Sequence, residues 1–347
     1  MGVVVVIQMP APFSFWVQPT KRTNLDSEMA YDVCDPTGVE LTFDEITRSM
    51  QEMFGQNVIS VFFEGGEPFL REDFLDMVEY ATPNAFTMIR TNGTLVTAEV
   101  ARALKAASVG VVCVDIEGGD AATHDALVGL PGAFDRAVAG VRHLVEAGIS
   151  TFITTILTSY NVDQLQMLAD LTAETGAEKL GVLRLYPLGL ARKNWTKLSV
   201  PLPRQMAALE AISVPAGVQL MQSWHPNDPN CCWQMAAVDA YGNSIGCPYL
   251  RDFANYGNIR DVSFMDTWRN PAYKKVRAAS AADACPECAA NDRNRSGGCR
   301  STSYAFGGAW DAPDPYCTHM NNGTDLTRLP DRIVDLPFGA PQTMTGV

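Results

Sequence analysis

The chain has 347 residues, 47% of them hydrophobic and 19% charged, which supplies material for a sizeable core and argues against disorder. Its 39 acidic and 26 basic residues give a formal net charge of −13, so nothing electrostatic favours nucleic acid or an anionic membrane as a partner. At this length two domains are the starting expectation.

The N-terminal run Val3-Val4-Val5-Val6-Ile7 lacks a basic flank and is too short for a signal peptide or a spanning helix; it reads as a buried or edge strand. No later stretch approaches the ~20 apolar residues a bilayer requires, and a soluble, cytoplasmic protein is expected. Strand-like runs follow at Phe13–Gln18, Val58–Phe63, Phe86–Arg90, Val111–Ile116, Thr151–Leu157 and Leu180–Tyr186. Between them lie amphipathic stretches at Phe43–Phe54, Phe74–Ala81, Ala98–Ala107, Ala133–Ala147 and Asp163–Thr175. Thr42-Phe43-Asp44-Glu45 has the form of a capping box, and Gly148 and Gly176 are placed to end helices. Repeated strand–helix units imply a parallel α/β sheet with right-handed crossovers. Six units suit a partial, open (β/α)6 TIM-like barrel with its chemistry at the C-terminal strand ends.

After Arg192 the texture changes. Residues 1–195 are read as the barrel, 196–222 as a linker with one short helix, 223–325 as a small loop-rich cysteine domain, and 326–347 as a tail. The cysteine domain, poor in periodic apolar pattern, is expected to be held by metal rather than by a large core. Of nine cysteines, Cys34 and Cys113 come early and seven fall between Cys231 and Cys317. An odd, clustered set in a chain without a secretion signal points to metal ligation. Cys285-x2-Cys288 suits zinc as readily as iron.

Several phrases carry more. Thr23-Asn24-Leu25 follows the first strand, Gly65-Gly66-Glu67-Pro68 the second and Thr91-Asn92-Gly93-Thr94 the third. His124-Asp125, Gly129, Gly132-Ala133-Phe134-Asp135 and Pro187-Leu188-Gly189-Leu190-Ala191 come next. Later come Cys232-x9-Gly242-x4-Cys247, Gly257-Asn258-Ile259, Trp268, Gly297-Gly298-Cys299 and Asp314-Pro315-Tyr316-Cys317. In order and spacing the chain resembles the radical S-adenosylmethionine (radical SAM) family with a C-terminal SPASM domain, which includes maturases of pyrroloquinoline quinone, mycofactocin and modified haems. The resemblance covers most of residues 13–318. It implies a SAM site at Gly65, Gly66, Glu67, Pro68, Asn92 and Asp115. It assigns Cys232, Cys247 and Cys299 to one auxiliary [4Fe–4S] cluster, with Cys231 as a fourth ligand. Cys285, Cys288 and Cys317 belong to a second cluster, where Arg295 stands in place of a further cysteine. Asp292 and His319 are candidate fourth ligands, each better read as a surface residue. One all-thiolate zinc site of Cys285, Cys288, Cys299 and Cys317 is the alternative.

The same resemblance locates a departure. The family's three catalytic-cluster cysteines, spaced CxxxCxxC, fall at Thr23, Ser27 and Ala30. Hydroxyls are poor ligands for soft metals and alanine offers none. Val128 stands where the family has an arginine for the SAM carboxylate, and Asp115 and Glu117 add negative charge nearby, so SAM binding is expected to be weak. Radical initiation is therefore expected to be lost. The expected role is a binding or accessory one in a peptide or small-molecule maturation pathway, with an active enzyme as a candidate partner. One alternative is non-radical chemistry at the barrel mouth, where Glu64, Glu67, Asp115 and Glu117 lie near strand ends; solvated loop acids are the plainer reading of these four. The other is a cluster-ablated form of an active peptide-modifying enzyme. His143 is expected to be structural, His225 a loop residue, and Tyr304-Ala305-Phe306 aromatic packing.

Overall fold

A computed structural model describes residues 9–33, 37–224, 232–279, 298–319, 321 and 323–336. The strand reading of Val3–Ile7 and the expectations for Cys34, His225, Cys231, Cys285, Cys288, Asp292 and Arg295 lie outside the described residues.

Eight strands form one open sheet: β1 (Ser14–Val17), β2 (Ser60–Phe63), β3 (Phe86–Thr91), β4 (Val111–Asp115), β5 (Ser150–Ile156), β6 (Lys179–Leu183), β7 (Gln219–Gln222) and β8 (Met235–Val238). Their spatial order is β7-β6-β5-β4-β3-β2-β1-β8, and every neighbouring pair is parallel. The helices over its outer face include α1 (Phe43–Phe54), α2 (Phe74–Ala81), α3 (Ala98–Ala106), α4 (Ala121–Val128), α5 (Ala133–Glu146) and α6 (Leu165–Thr175). In α1 the capping box forms: the Thr42 hydroxyl accepts from the Glu45 amide, and the Glu45 carboxylate accepts from the Thr42 amide.

Strand alternation separates two faces. On β4, Val112 and Val114 join the main core beneath the helices, whereas Val111 and Cys113 pack with Phe62 in a second cluster bordered by Trp16, Met88 and Phe152. Burial there pushes the Cys113 thiol up to about 12, so it stays protonated and inert.

The sheet has two strands beyond the six expected. β7 lies within 196–222, and β8 lies within 223–325 and pairs with β1 from Ser14↔Met235 to Val17↔Val238. The segment Met235-Ala236-Ala237-Val238 is buried throughout. A short, wholly apolar run has no period-two signature, which is why alternation does not reveal it. The short helix α4 is likewise an addition.

The described part of the cysteine region shares the barrel's core, which the expected lack of a large core did not anticipate. Phe253, Tyr256, Phe264, Trp268, Tyr273, Trp310 and Tyr316 belong to the same continuous core as the barrel strands. Such aromatic side chains bury roughly 150–250 Å² each. These side chains pack against the barrel's apolar surface, so the region's short elements form no separate core. Tyr304 stacks on Trp310 at 4.2 Å between ring centroids, as expected of aromatic packing.

Candidate functional site

A cavity of about 150 Å³ opens at the C-terminal ends of β2, β3 and β4. Its roof is the loop after β1, which contributes Thr23, Ser27 and Ala30. Thr23, Ser27 and Ala30 therefore face one space, together with Gly65, Gly66, Asn92, Asp115 and Val128.

The glycine turn after β2 packs against the roof loop as well as lining the cavity. Gly66 has φ +58, and a Cβ there would lie 2.4 Å from the Arg22 carbonyl oxygen. What comes close is the protein's own roof loop. The Glu67 amide donates to that same carbonyl at 2.7 Å. Glu67 and Pro68 are buried and lie off the cavity. The Glu67 carboxyl accepts from the Thr91 hydroxyl at 2.8 Å and the Asn92 amide at 2.8 Å, tying the turn after β2 to the turn after β3. Burial pushes this carboxyl up to about 7. Asn92 in turn donates to Asn24 of the roof loop at 2.8 Å.

The far side of the roof rests on α4. The Asp26 amide donates to Val128 O at 3.0 Å, and a Cβ on Gly129, at φ +69, would meet Asp26 O at 2.3 Å. The Ser27 hydroxyl donates to Leu127 O at 3.3 Å and accepts from the Met29 amide. The Thr23 hydroxyl accepts from the Leu25 amide at 3.1 Å. Ala30 O accepts from the Leu190 amide at 2.8 Å. His124 and Asp125 serve the same scaffold. Buried His124, held down to about 4 by desolvation, accepts at Nδ1 from the Glu117 amide at 2.9 Å; Asp125 accepts from the Gly132 and Phe134 amides at the start of α5.

The floor is a ladder of alternating charge. Arg251 pairs with Asp32 and, at 3.3 Å, with Glu64; Arg90 stands 3.7 Å from Glu64 and 2.9 Å from Asp115. The Thr154 hydroxyl completes Asp115 at 2.5 Å. The solvated-loop reading of the four carboxyls is thereby corrected: Glu64, Glu67 and Glu117 are buried, and Asp115 is partly buried and ion-paired. Arg90 partly offsets the Asp115 charge in place. Glu117 accepts from the Ile156 amide at 2.7 Å and the Thr155 hydroxyl at 3.2 Å. Burial first, and Asp115 second, push it up to about 8. Glu64 is also raised, by burial, against the pull of both arginines. Sequence reading missed Arg90, Arg251 and Asp32; only a charged residue at the end of a strand hinted at Arg90.

In the cysteine region, buried Cys232 and Cys247 interact directly. The Cys232 thiol, then burial, raises Cys247, while burial raises Cys299 to about 11. Asp314, from the Asp314-Pro315-Tyr316-Cys317 phrase, accepts from the Cys299 amide at 2.8 Å, the Thr302 hydroxyl at 2.8 Å and Arg184 at 2.5 Å. Both Arg184 and Asp314 side chains are fully buried, so the end of β6 is joined to the cysteine region by an ion pair. Cys317 is buried, and His143 contacts Val96 O from within α5. Among the described residues no group of three or more His, Cys, Asp or Glu side chains is arranged to hold a metal.

Residues 31–172 match the radical SAM superfamily, and residues 231–289 match the SPASM iron–sulfur cluster-binding domain. Mycofactocin maturase MftC of Mycobacterium tuberculosis is 30% identical over 309 residues, 83% of this chain and 78% of the relative. PqqA peptide cyclase of Granulibacter bethesdensis is 25% identical over 301 residues, 81% of this chain and 79% of the relative. The structure of Streptococcus suis SuiB bound to the precursor peptide SuiA superposes with a TM-score of 0.73 at 16% identity, covering 90% of this chain and 77% of that one. This chain belongs to the radical SAM/SPASM family. That family is one of iron–sulfur proteins that use SAM. Among the described residues no helix is long and apolar enough to cross a membrane.

Proposed function

We propose that this protein is a radical SAM/SPASM relative that binds a peptide, or a small molecule derived from one, without generating a radical at the barrel mouth. The observation that carries the reading is the roof loop: Thr23, Ser27 and Ala30 line the cavity, and both hydroxyls are engaged with backbone groups. None of the three offers a thiolate, so the donor set does not fit a [4Fe–4S] cluster. The loop is nonetheless docked, by Asn92, by the close approach at Gly66 and by the contact at Gly129. On this reading the family scaffold persists while its cluster ligands do not, and SAM binds no tighter than the millimolar range.

The peptide class rests on the named activity of the peptide cyclase relative. A net charge of −13 suits a basic segment. By the family resemblance, Cys232, Cys247 and Cys299, with Cys231, would hold one auxiliary cluster, and Cys285, Cys288 and Cys317 a second. Such a cluster, when bound, supplies electron transfer or a structural clamp.

The test has two arms. Anaerobically reconstituted protein given dithionite and SAM should make no 5′-deoxyadenosine above a protein-free control; production would overturn the reading. The Thr23→Cys/Ser27→Cys/Ala30→Cys variant should gain about four irons per chain, because the loop already presents these positions to one cavity.

A further inference from the structure

We infer that the hydroxyl of Tyr256 donates its hydrogen bond to a sulfur of the iron–sulfur cluster assigned to Cys232, Cys247 and Cys299, and thereby raises the reduction potential of that cluster. The inference deepens the reading of these cysteines as cluster ligands, and rests on it.

Three observations point to this role. The first is an orphaned donor. Tyr256 is 4% exposed, and its hydroxyl is buried with no hydrogen-bond partner among the described residues. The ring of Tyr273 stacks on it at 4.3 Å between centroids, yet the Tyr273 hydroxyl reaches the carbonyl oxygens of both Met235 and Gly246. A buried hydroxyl without an acceptor is costly, so the difference between the two tyrosines asks for an acceptor beside Tyr256. The second observation is what lies there. Gly246 has φ +75, and a Cβ on it would come within 2.9 Å of the Tyr256 ring and 2.8 Å of the Tyr273 ring. The glycine thus lets both rings pack directly under the turn that carries Cys247. The thiols of Cys232 and Cys247 interact with each other, and both lie within electrostatic range of the Tyr256 hydroxyl. The third observation is charge. Arg277 is 5% exposed, with its guanidinium 3.6 Å from the Trp268 ring centroid and 4.8 Å from that of Tyr273. Its Nη2 donates to Trp268 O at 2.8 Å, but Nε and Nη1 have no partner, and no carboxylate pairs with it among the described residues.

An iron–sulfur cluster on thiolates is net negative and presents sulfur acceptors, so it answers both needs at once: an acceptor for Tyr256 and a counter-charge near the buried cation. Tyr256 and Tyr273 lie within range of Arg277 as well as of the two thiols, which places the tyrosine pair in the same field. Hydrogen bonds to the sulfurs are among the factors that set the potential of such clusters. A donor favours the reduced form, which carries one more negative charge. Tyr256 therefore suits the site to electron transfer rather than to a structural clamp alone, and it does so as a positioning residue that is not itself a ligand.

The experiment compares the full-length wild type with Tyr256→Phe and Tyr273→Phe after anaerobic reconstitution with iron and sulfide. Iron and sulfide per chain are measured first. Cluster potentials are then read by dithionite titration followed by electron paramagnetic resonance. Tyr256→Phe should keep wild-type iron and sulfide, because its hydroxyl is no ligand. One of its cluster potentials should fall by the equivalent of about tenfold in the reduction equilibrium, about 59 mV for one electron. Tyr273→Phe, which loses formed hydrogen bonds, should lower the midpoint of urea unfolding and leave the potentials unmoved. Unchanged potentials in Tyr256→Phe, loss of iron from it, or an equal shift in Tyr273→Phe would overturn the proposal. The underlying reading fails in a different way: a wild type that takes up zinc, or no metal, instead of iron and sulfide would remove the cluster itself and the role of Tyr256 with it.

Discussion

The barrel mouth and the cysteine region differ in the side chains they present and in what holds them. At the mouth a polar scaffold holds the loop: Glu67, Asn92 and Asn24 bind one another, and Gly66 and Gly129 admit the roof loop. The roof loop presents Thr23, Ser27 and Ala30 to the cavity. In the cysteine region thiols are present, Cys232 beside Cys247, with Asp314 bonded to the Cys299 backbone. The lesson is that scaffold and ligand are separable. Hydrogen bonds between turns hold a loop in place whether or not its side chains can coordinate, because they are made by backbone groups and by side chains outside the ligand set.

The largest expected effect would break this contrast outright. Cys247→Ser should remove most of the iron from anaerobically purified protein, while Cys113→Ser, in its separate apolar cluster between the strands, should leave iron content unchanged. Equal iron in wild type and Cys247→Ser, measured per chain, would show that the cysteine region has no more use for its thiols than the mouth.

The next tests what joins the halves. Arg184→Met leaves Asp314 buried without its cation, which should destabilise the protein by about 3–5 kcal/mol in urea unfolding. The double variant with Asp314→Leu should recover part of that loss, because no isolated charge then remains buried. An exposed-pair-like cost below about 1 kcal/mol would mean that the two halves are held by packing alone.

A third prediction sharpens the picture of the mouth by its pH dependence. Glu117 has a folded value of about 8 against an ordinary 4.5, so the native state keeps a proton that the unfolded chain gives up in between. Stability should therefore fall as pH rises from about 4.5 to 8 and level off above. Glu67, raised to about 7, acts in the same direction over the lower part of that window. Glu117→Gln should gain on the wild type from pH 5 to about pH 8 and then hold level, a trend that unfolding midpoints across pH would reveal. A wild type that grows more stable over this range would contradict the buried, proton-holding carboxyl.

The smallest effect serves as a control away from both sites. Thr42→Ala removes the capping box of α1 and should cost about 1 kcal/mol, with iron content and peptide binding unchanged.

Much of this architecture is legible without coordinates. The bounds of α1 and α2 coincide with the amphipathic stretches Phe43–Phe54 and Phe74–Ala81, because a 3.6-residue apolar period and a threonine cap are local properties. The six central strands and their order follow from alternating strand and helix patterns. The family membership follows from motif order. The identities of Thr23, Ser27 and Ala30 likewise need only the chain itself.

Tertiary structure decided the rest. It recruited β8 from the cysteine region to pair with β1, and it gave that region a share of the barrel's core. It turned Glu67 away from the cavity and set Arg90 between Glu64 and Asp115. It joined Arg251 to Asp32 across 219 positions of sequence. The physical reason is the same in each case. Periodicity and caps are fixed by neighbours within a turn or two of chain. A buried charge or an apolar four-residue strand is stable only against partners that folding brings from far away, and no local pattern names them.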